Sequence, residues 1–214
     1  MNNITKLVCI LALVVVLLIG IIFLRKYMIF EKYRLAQEEF SKSVNFYVKD
    51  KEENGTTEIY RAGSKALIIN NSEIKRMSYY DDNQKISYTE YELDGADNVK
   101  KTAIVEPRDK SLGDSILPVL TDDSFKLESS RDSLEAAFKY KISNAKVDNY
   151  DCYEFTIDKE FSIYVNKEDY FKIREENYSL ENTVIDYKAS GVSDEDVFRP
   201  MLEGYEVVYK TEEN

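Results

Sequence analysis

The side chains that could do chemistry in this chain of 214 residues are carboxylates, tyrosines and two cysteines. There is no histidine and no tryptophan. Losing histidine removes the commonest general base and the commonest metal ligand together. No Ser-His-Asp or Cys-His site can therefore be assembled. Cys152 sits in the alternating stretch YDCYEF and reads as a small strand residue rather than a nucleophile. Ser72 and Lys75 match S-x-x-K, but the motif follows Asn-Asn, leads into a strand pattern and lacks its usual partner motifs. The acidic clusters Asp81-Asp82-Asn83, Asp94 with Asp97, and Asp194-Glu195-Asp196 lack calcium-loop spacing. Paired acids of the glycosidase kind would stand without a tryptophan to stack a sugar. No phosphate-binding glycine motif is present. The residues predict no enzyme, no cofactor and no metal.

The densest polar knot, YYDDNQKISYTEY at 79–91, has a plainer explanation. Asp81, Asp82 and Asn83 suit a turn, because Asx side chains close turns on their own backbone. The tyrosines around them suit strands, with an apolar body and a wet tip.

The elements that would hold these residues begin with an anchor. After a tail at 1–6, residues 7–24 (LVCILALVVVLLIGIIFL) carry no charge, with Lys6 before them and Arg25-Lys26 after. Eighteen helical residues rise about 27 Å, close to the hydrocarbon thickness of a bilayer. The run ends in IIFLRKYM, bulky and basic, so no signal-peptidase site is expected. Cys9 has almost no hydrophobic stretch before it, unlike a lipid-attachment cysteine.

Residues 25–41 continue as an amphipathic helix, with Ile29, Tyr33, Ala36 and Phe40 on one stripe. From 42 to 214 the period falls to two. Six short strands are predicted between 44 and 106, then a loop-like stretch, and a short helix capped by Ser130 or Asp132. More strands follow, and an acidic tail with one short edge strand at YEVVY. A net charge of -11 argues against a nucleic-acid surface. Cys152 alone lies outside the anchor, so the domain has no internal disulfide.

This order resembles the LolA-like superfamily of lipoprotein carriers and their membrane-attached relatives, over about residues 30–208. The stretches TEIYRAGSKALIIN, SYYDDNQKISYTEY with KKTAI, and FSIYVNKEDYFKIREENY with VSDEDVFRP carry the likeness. The late turn departs from it: Asn166-Lys167-Glu168-Asp169-Tyr170 lacks the family's glycine and proline, and Tyr164 stands for its tryptophan. No arginine matches the one that gates lipoprotein release.

The resemblance implies a mainly β (α+β) domain: a curved antiparallel sheet forming an unclosed barrel with covering helices. Its cleft would be lined by Tyr33, Phe40, Phe46, Ile68, Phe138, Phe155 and Ile163. The function it implies is a membrane-anchored, non-catalytic binding protein that holds a lipid, lipoprotein segment or other hydrophobic ligand. The alternative is a sensor or partner-binding subunit of a membrane regulatory complex with no small ligand. Partners would be the bilayer, such a ligand, or a membrane protein. A single-pass anchor with its C-terminal domain outside the cytoplasm is expected from the relatives. The count of basic flanking residues favours the opposite orientation.

Overall fold

The computed structural model describes residues 3–52, 55–72, 75–83, 88–92, 102–106, 125–177, 180–188, 190–198 and 203–210. Asp94, Asp97 and the loop-like stretch with its apolar piece at 116–120 lie outside them.

One helix, α1, runs unbroken from Asn3 to Lys42. Forty residues span about 60 Å. Its first half is long and apolar enough to cross a membrane, and the hydrocarbon side chains from Leu7 to Leu24 are exposed, Phe23 excepted. Its second half is packed: Ile29, Phe30, Tyr33 and Phe40 are all buried. The stripe seen at helical spacing is thus a core face.

The rest is sheet. The strands are β1 (Asn45–Glu52), β2 (Gly55–Ala62), β3 (Lys65–Asn71), β4 (Lys75–Asp81), β5 (Tyr88–Glu92) and β6 (Thr102–Glu106). Then come helix α2 (Ser130–Lys139) and strands β7 (Lys141–Val147), β8 (Tyr150–Thr156), β9 (Phe161–Asn166), β10 (Lys172–Asn177), β11 (Leu180–Lys188) and β12 (Glu206–Tyr209). They form one twelve-stranded sheet in the order β12-β6-β5-β4-β3-β2-β1-β11-β10-β9-β8-β7. Two meanders therefore meet where β1 pairs with β11, Val48 opposite Tyr187. The sheet is curved and does not close into a barrel. Register shifts at Lys49/Asp50 and Lys172/Arg174 mark bulges, which bend strands and increase twist. The edge strand expected at YEVVY exists, but it pairs parallel to β6, the one parallel pair of the sheet as described.

Both faces of the central strands are used, which explains why ALIIN reads as continuously apolar. Phe46, Val48, Ile59 and Ala66 lie under Phe40 of α1. Tyr47, Leu67, Met77, Tyr79 and Ala103 lie on the other side, covered by Val192 and Val197. A further cluster beneath α1 joins Ile29, Phe30 and Tyr33 to Phe125, Ala136, Ala137, Phe155, Phe161 and Ile163.

Local chemistry sets the joints. Gly55 opens β2 where any Cβ would fall 2.2 Å from the carbonyl oxygen of Asn71. α2 is capped by Ser129, not by Ser130 or Asp132 as expected. The Ser129 hydroxyl accepts from the Asp132 amide, and the Asp132 carboxylate accepts from the Ser129 amide at 2.9 Å, a capping box.

Candidate functional site

The polar knot of the sequence is a turn. Asp81 is buried, and its carboxylate accepts from the Asn83 amide at 3.0 Å and from the Tyr79 hydroxyl at 3.4 Å. The Asp82 amide donates to the Ser64 carbonyl at 2.9 Å, and the Asn83 amide group donates to the Ser64 hydroxyl. β5 starts only at Tyr88, so the connection is longer than a two-residue hairpin turn, with residues 84–87 outside the described set. Asp196 likewise holds the Ser193 amide and hydroxyl, and Asp194 pairs with Lys65. Ser72 follows β3 and Lys75 opens β4, so S-x-x-K spans a strand connection rather than a helix start.

The buried thiol and phenols that shift move away from neutrality. Burial pushes the Cys152 thiol up to about 11. Burial and the Glu176 carboxylate push Tyr164 up to about 12, its hydroxyl donating to Glu176 at 3.0 Å. Tyr187 is raised by burial and by Asp169. Such groups hold protons firmly and make poor bases. No cluster of three metal-ligating side chains occurs among the described residues.

The expected cleft residues do not line one cleft. Tyr33, Phe155 and Ile163 are packed together beneath α1, with Tyr33 edge-on to Phe155 at 5.4 Å. Phe40 and Phe46 lie in the neighbouring cluster, 5.0 Å apart, with Ile68 half-buried against it. Phe138 departs altogether: it is 72% exposed on α2, with its ring 4.1 Å from Phe23. Side chains of α1 fill this face of the sheet.

A pocket of about 340 Å³ opens at the far end of α1, between that helix, residues 126–128 and the start of β10. Phe40, Leu127 and Phe171 give it an apolar floor. Phe171 is edge-on to Phe40 at 4.9 Å and stacked on Tyr187 at 4.2 Å. Its walls are charged, but the charges are already matched. Arg34 donates to both oxygens of Glu31, at 2.7 and 3.1 Å, and to Glu38 at 3.0 Å. Lys172 pairs with Glu175 at 2.9 Å and Lys126 with Glu128 at 3.4 Å. One polar atom of a lining residue is unpartnered: Gln37 donates its amide to the Tyr33 hydroxyl at 2.6 Å, while its buried Oε1 has no hydrogen-bond partner among the described residues.

The turn beside the pocket holds a left-handed residue without glycine. Tyr170 adopts a left-handed φ of 62°, costing about 1–2 kcal/mol. Asn166 and Asp169 hold it: the Tyr187 hydroxyl donates to Asp169 at 2.5 Å and accepts from the Asn166 amide group at 2.8 Å. Arg34, Gln37, Leu127 and Phe171 were not foreseen as a group. Arg34 and Gln37 read as ordinary helix patterning, Leu127 lies outside helix and strand, and Phe171 directly follows the left-handed Tyr170.

No family model matches the chain, and none of the curated proteins matches it.

Proposed function

We propose that this chain is a membrane-anchored, non-catalytic binding protein that receives a hydrophobic polypeptide segment of a partner in the pocket floored by Phe40, Leu127 and Phe171. Matched walls and one unpartnered buried acceptor support this reading best. Charges that are already paired offer little to a carboxylate or phosphate, whereas Gln37 Oε1 can accept from a peptide N–H. The volume, about 340 Å³, is near the lower end of the range for ligand pockets, about 300–1,000 Å³. It suits one or two apolar side chains better than a diacyl lipid. A LolA-like ancestry, if adopted, would put the domain outside the cytoplasm and make it a relative that has filled its cleft.

A second reading, a partner-binding subunit with no inserted ligand, is favoured by the same filled inner face. A photo-reactive residue at Lys126, on the pocket wall, separates the two in cells. The proposal expects a polypeptide adduct that is lost with Gln37→Leu, which removes the acceptor and keeps the shape. An adduct indifferent to Gln37→Leu supports the second reading. An adduct made only of lipid, or none, overturns the peptide pocket.

A further inference from the structure

α2 runs antiparallel to α1 and points back toward the apolar run. At its start the Ser130 hydroxyl donates to Glu31 at 2.9 Å, and near its end the ring of Phe138 lies 4.1 Å from that of Phe23. Eight residues of α2 thus descend alongside eight residues of α1, about 12 Å toward the membrane. Phe23 is the residue before Leu24, the last of the uncharged stretch. Whatever surrounds Phe23 must also surround Phe138.

From this we infer that the end of α2 is a second membrane contact, seated at the boundary between headgroups and hydrocarbon beside the anchor. The inference rests on the reading of residues 7–24 as membrane-spanning. Phe138 is 72% exposed and Leu134, one turn above it, is 41% exposed. Both face outward, a pattern that costs solubility in water and gains about 25 cal/mol for each Å² buried in lipid. Lys139 and Lys141 follow Phe138, placed to reach phosphates. On another side of α1, Tyr153 and Tyr170 stack at 6.2 Å beside a groove of about 320 Å³ that also takes in Leu24 and Met28. Lys32 lies 5.2 Å over Tyr170, and Lys167 lies 5.3 Å over Tyr153. Aromatic rings beside lysines, just beyond a hydrocarbon edge, are what a membrane interface selects.

The chain has no tryptophan, so each introduced one reports alone. Full-length Phe138→Trp, Phe23→Trp and Leu35→Trp are each reconstituted into phosphatidylcholine vesicles with bromines near the top of the acyl chains. The expected result is a blue-shifted emission from Phe138→Trp, with a loss of intensity comparable to that of Phe23→Trp. Leu35, exposed and twelve positions further along α1, should keep its emission. Quenching at Phe23 without quenching at Phe138 overturns the second contact and leaves the anchor standing. Absence of quenching at both overturns the anchor and the inference with it. Leu134→Trp guards against a folding defect at Phe138, with a weaker loss expected one turn higher.

Discussion

Replacing Phe30 with alanine tests whether the second half of α1 is part of the domain core or merely a stalk. The ring is fully buried, 4.6 Å from Phe155 and 6.2 Å from Phe125 by centroid. Truncating such a side chain removes its transfer free energy and leaves a cavity, costing about 3–5 kcal/mol. That is a large share of the net stability of a domain, about 5–15 kcal/mol. For a chain of this size each kcal/mol moves Tm by about 2–4 °C, so Phe30→Ala should lower it by about 6–20 °C. The internal control is Leu35→Ala on the same helix, 48% exposed, where a change within about 0.5 kcal/mol is expected. Near-ultraviolet circular dichroism of the full chain in mild detergent reads the tyrosines of the sheet without following the anchor helix itself. A Phe30→Ala melt coinciding with that of Leu35→Ala would refute the packing of α1 on the sheet.

Three further outcomes follow from the same contacts. Arg34 and Ser130 hold the Glu31 carboxyl down at about 2, below the ordinary carboxylate range, so its stabilisation is complete above about pH 4.5 and is lost as pH falls through 2. Glu31→Gln should therefore cost about 1–2 kcal/mol at pH 7, discounted for solvent access, and progressively less as pH falls through 2, read by urea unfolding across that range. Asp81→Ala removes a buried acceptor from the turn and should lower stability by about 1–2 kcal/mol; a neutral melt with lost Lys126 cross-linking would mark a binding site there instead. Alkaline phosphatase fused after Asn214 should be active, as the extracytoplasmic reading requires, and a fluorescent cytoplasm-only reporter at that end would sink it.

Much of the architecture was legible because it is local. Alternation and Asx or glycine turns marked the strands, and the stripe Ile29, Tyr33, Ala36 and Phe40 marked the helix. The misplaced cap shows the limit: Ser129, Ser130 and Asp132 can each serve, and only the reciprocal bonds of Ser129 and Asp132 choose. The parallel pairing of β12 with β6 joins residues a hundred positions apart, beyond any periodic signal. Phe138 misled for a different reason. An apolar residue at helical spacing looks like core whether it faces protein or lipid. The pocket was illegible because it joins α1, residues 126–128 and a turn in which Tyr170 takes a conformation that tyrosine rarely adopts.

The unbroken α1 ties these parts to one frame. Between Ile21 and Lys42 it contains neither glycine nor proline, so no hinge separates the apolar run from the core it enters. The Glu31–Ser130 bond and the Phe23–Phe138 contact fix α2 to it at two heights. The domain's attitude to the bilayer is then set by the helix rather than by a flexible linker. Counting from Leu24, Arg34 stands about 15 Å and Phe40 about 24 Å beyond the hydrocarbon edge, for a helix along the membrane normal. A lipid still seated in the bilayer does not reach a pocket at that height. A polypeptide does, whether it comes from a neighbouring membrane protein or from a chain passing above the surface. The height of the pocket and its matched charges thus argue independently for the same class of occupant.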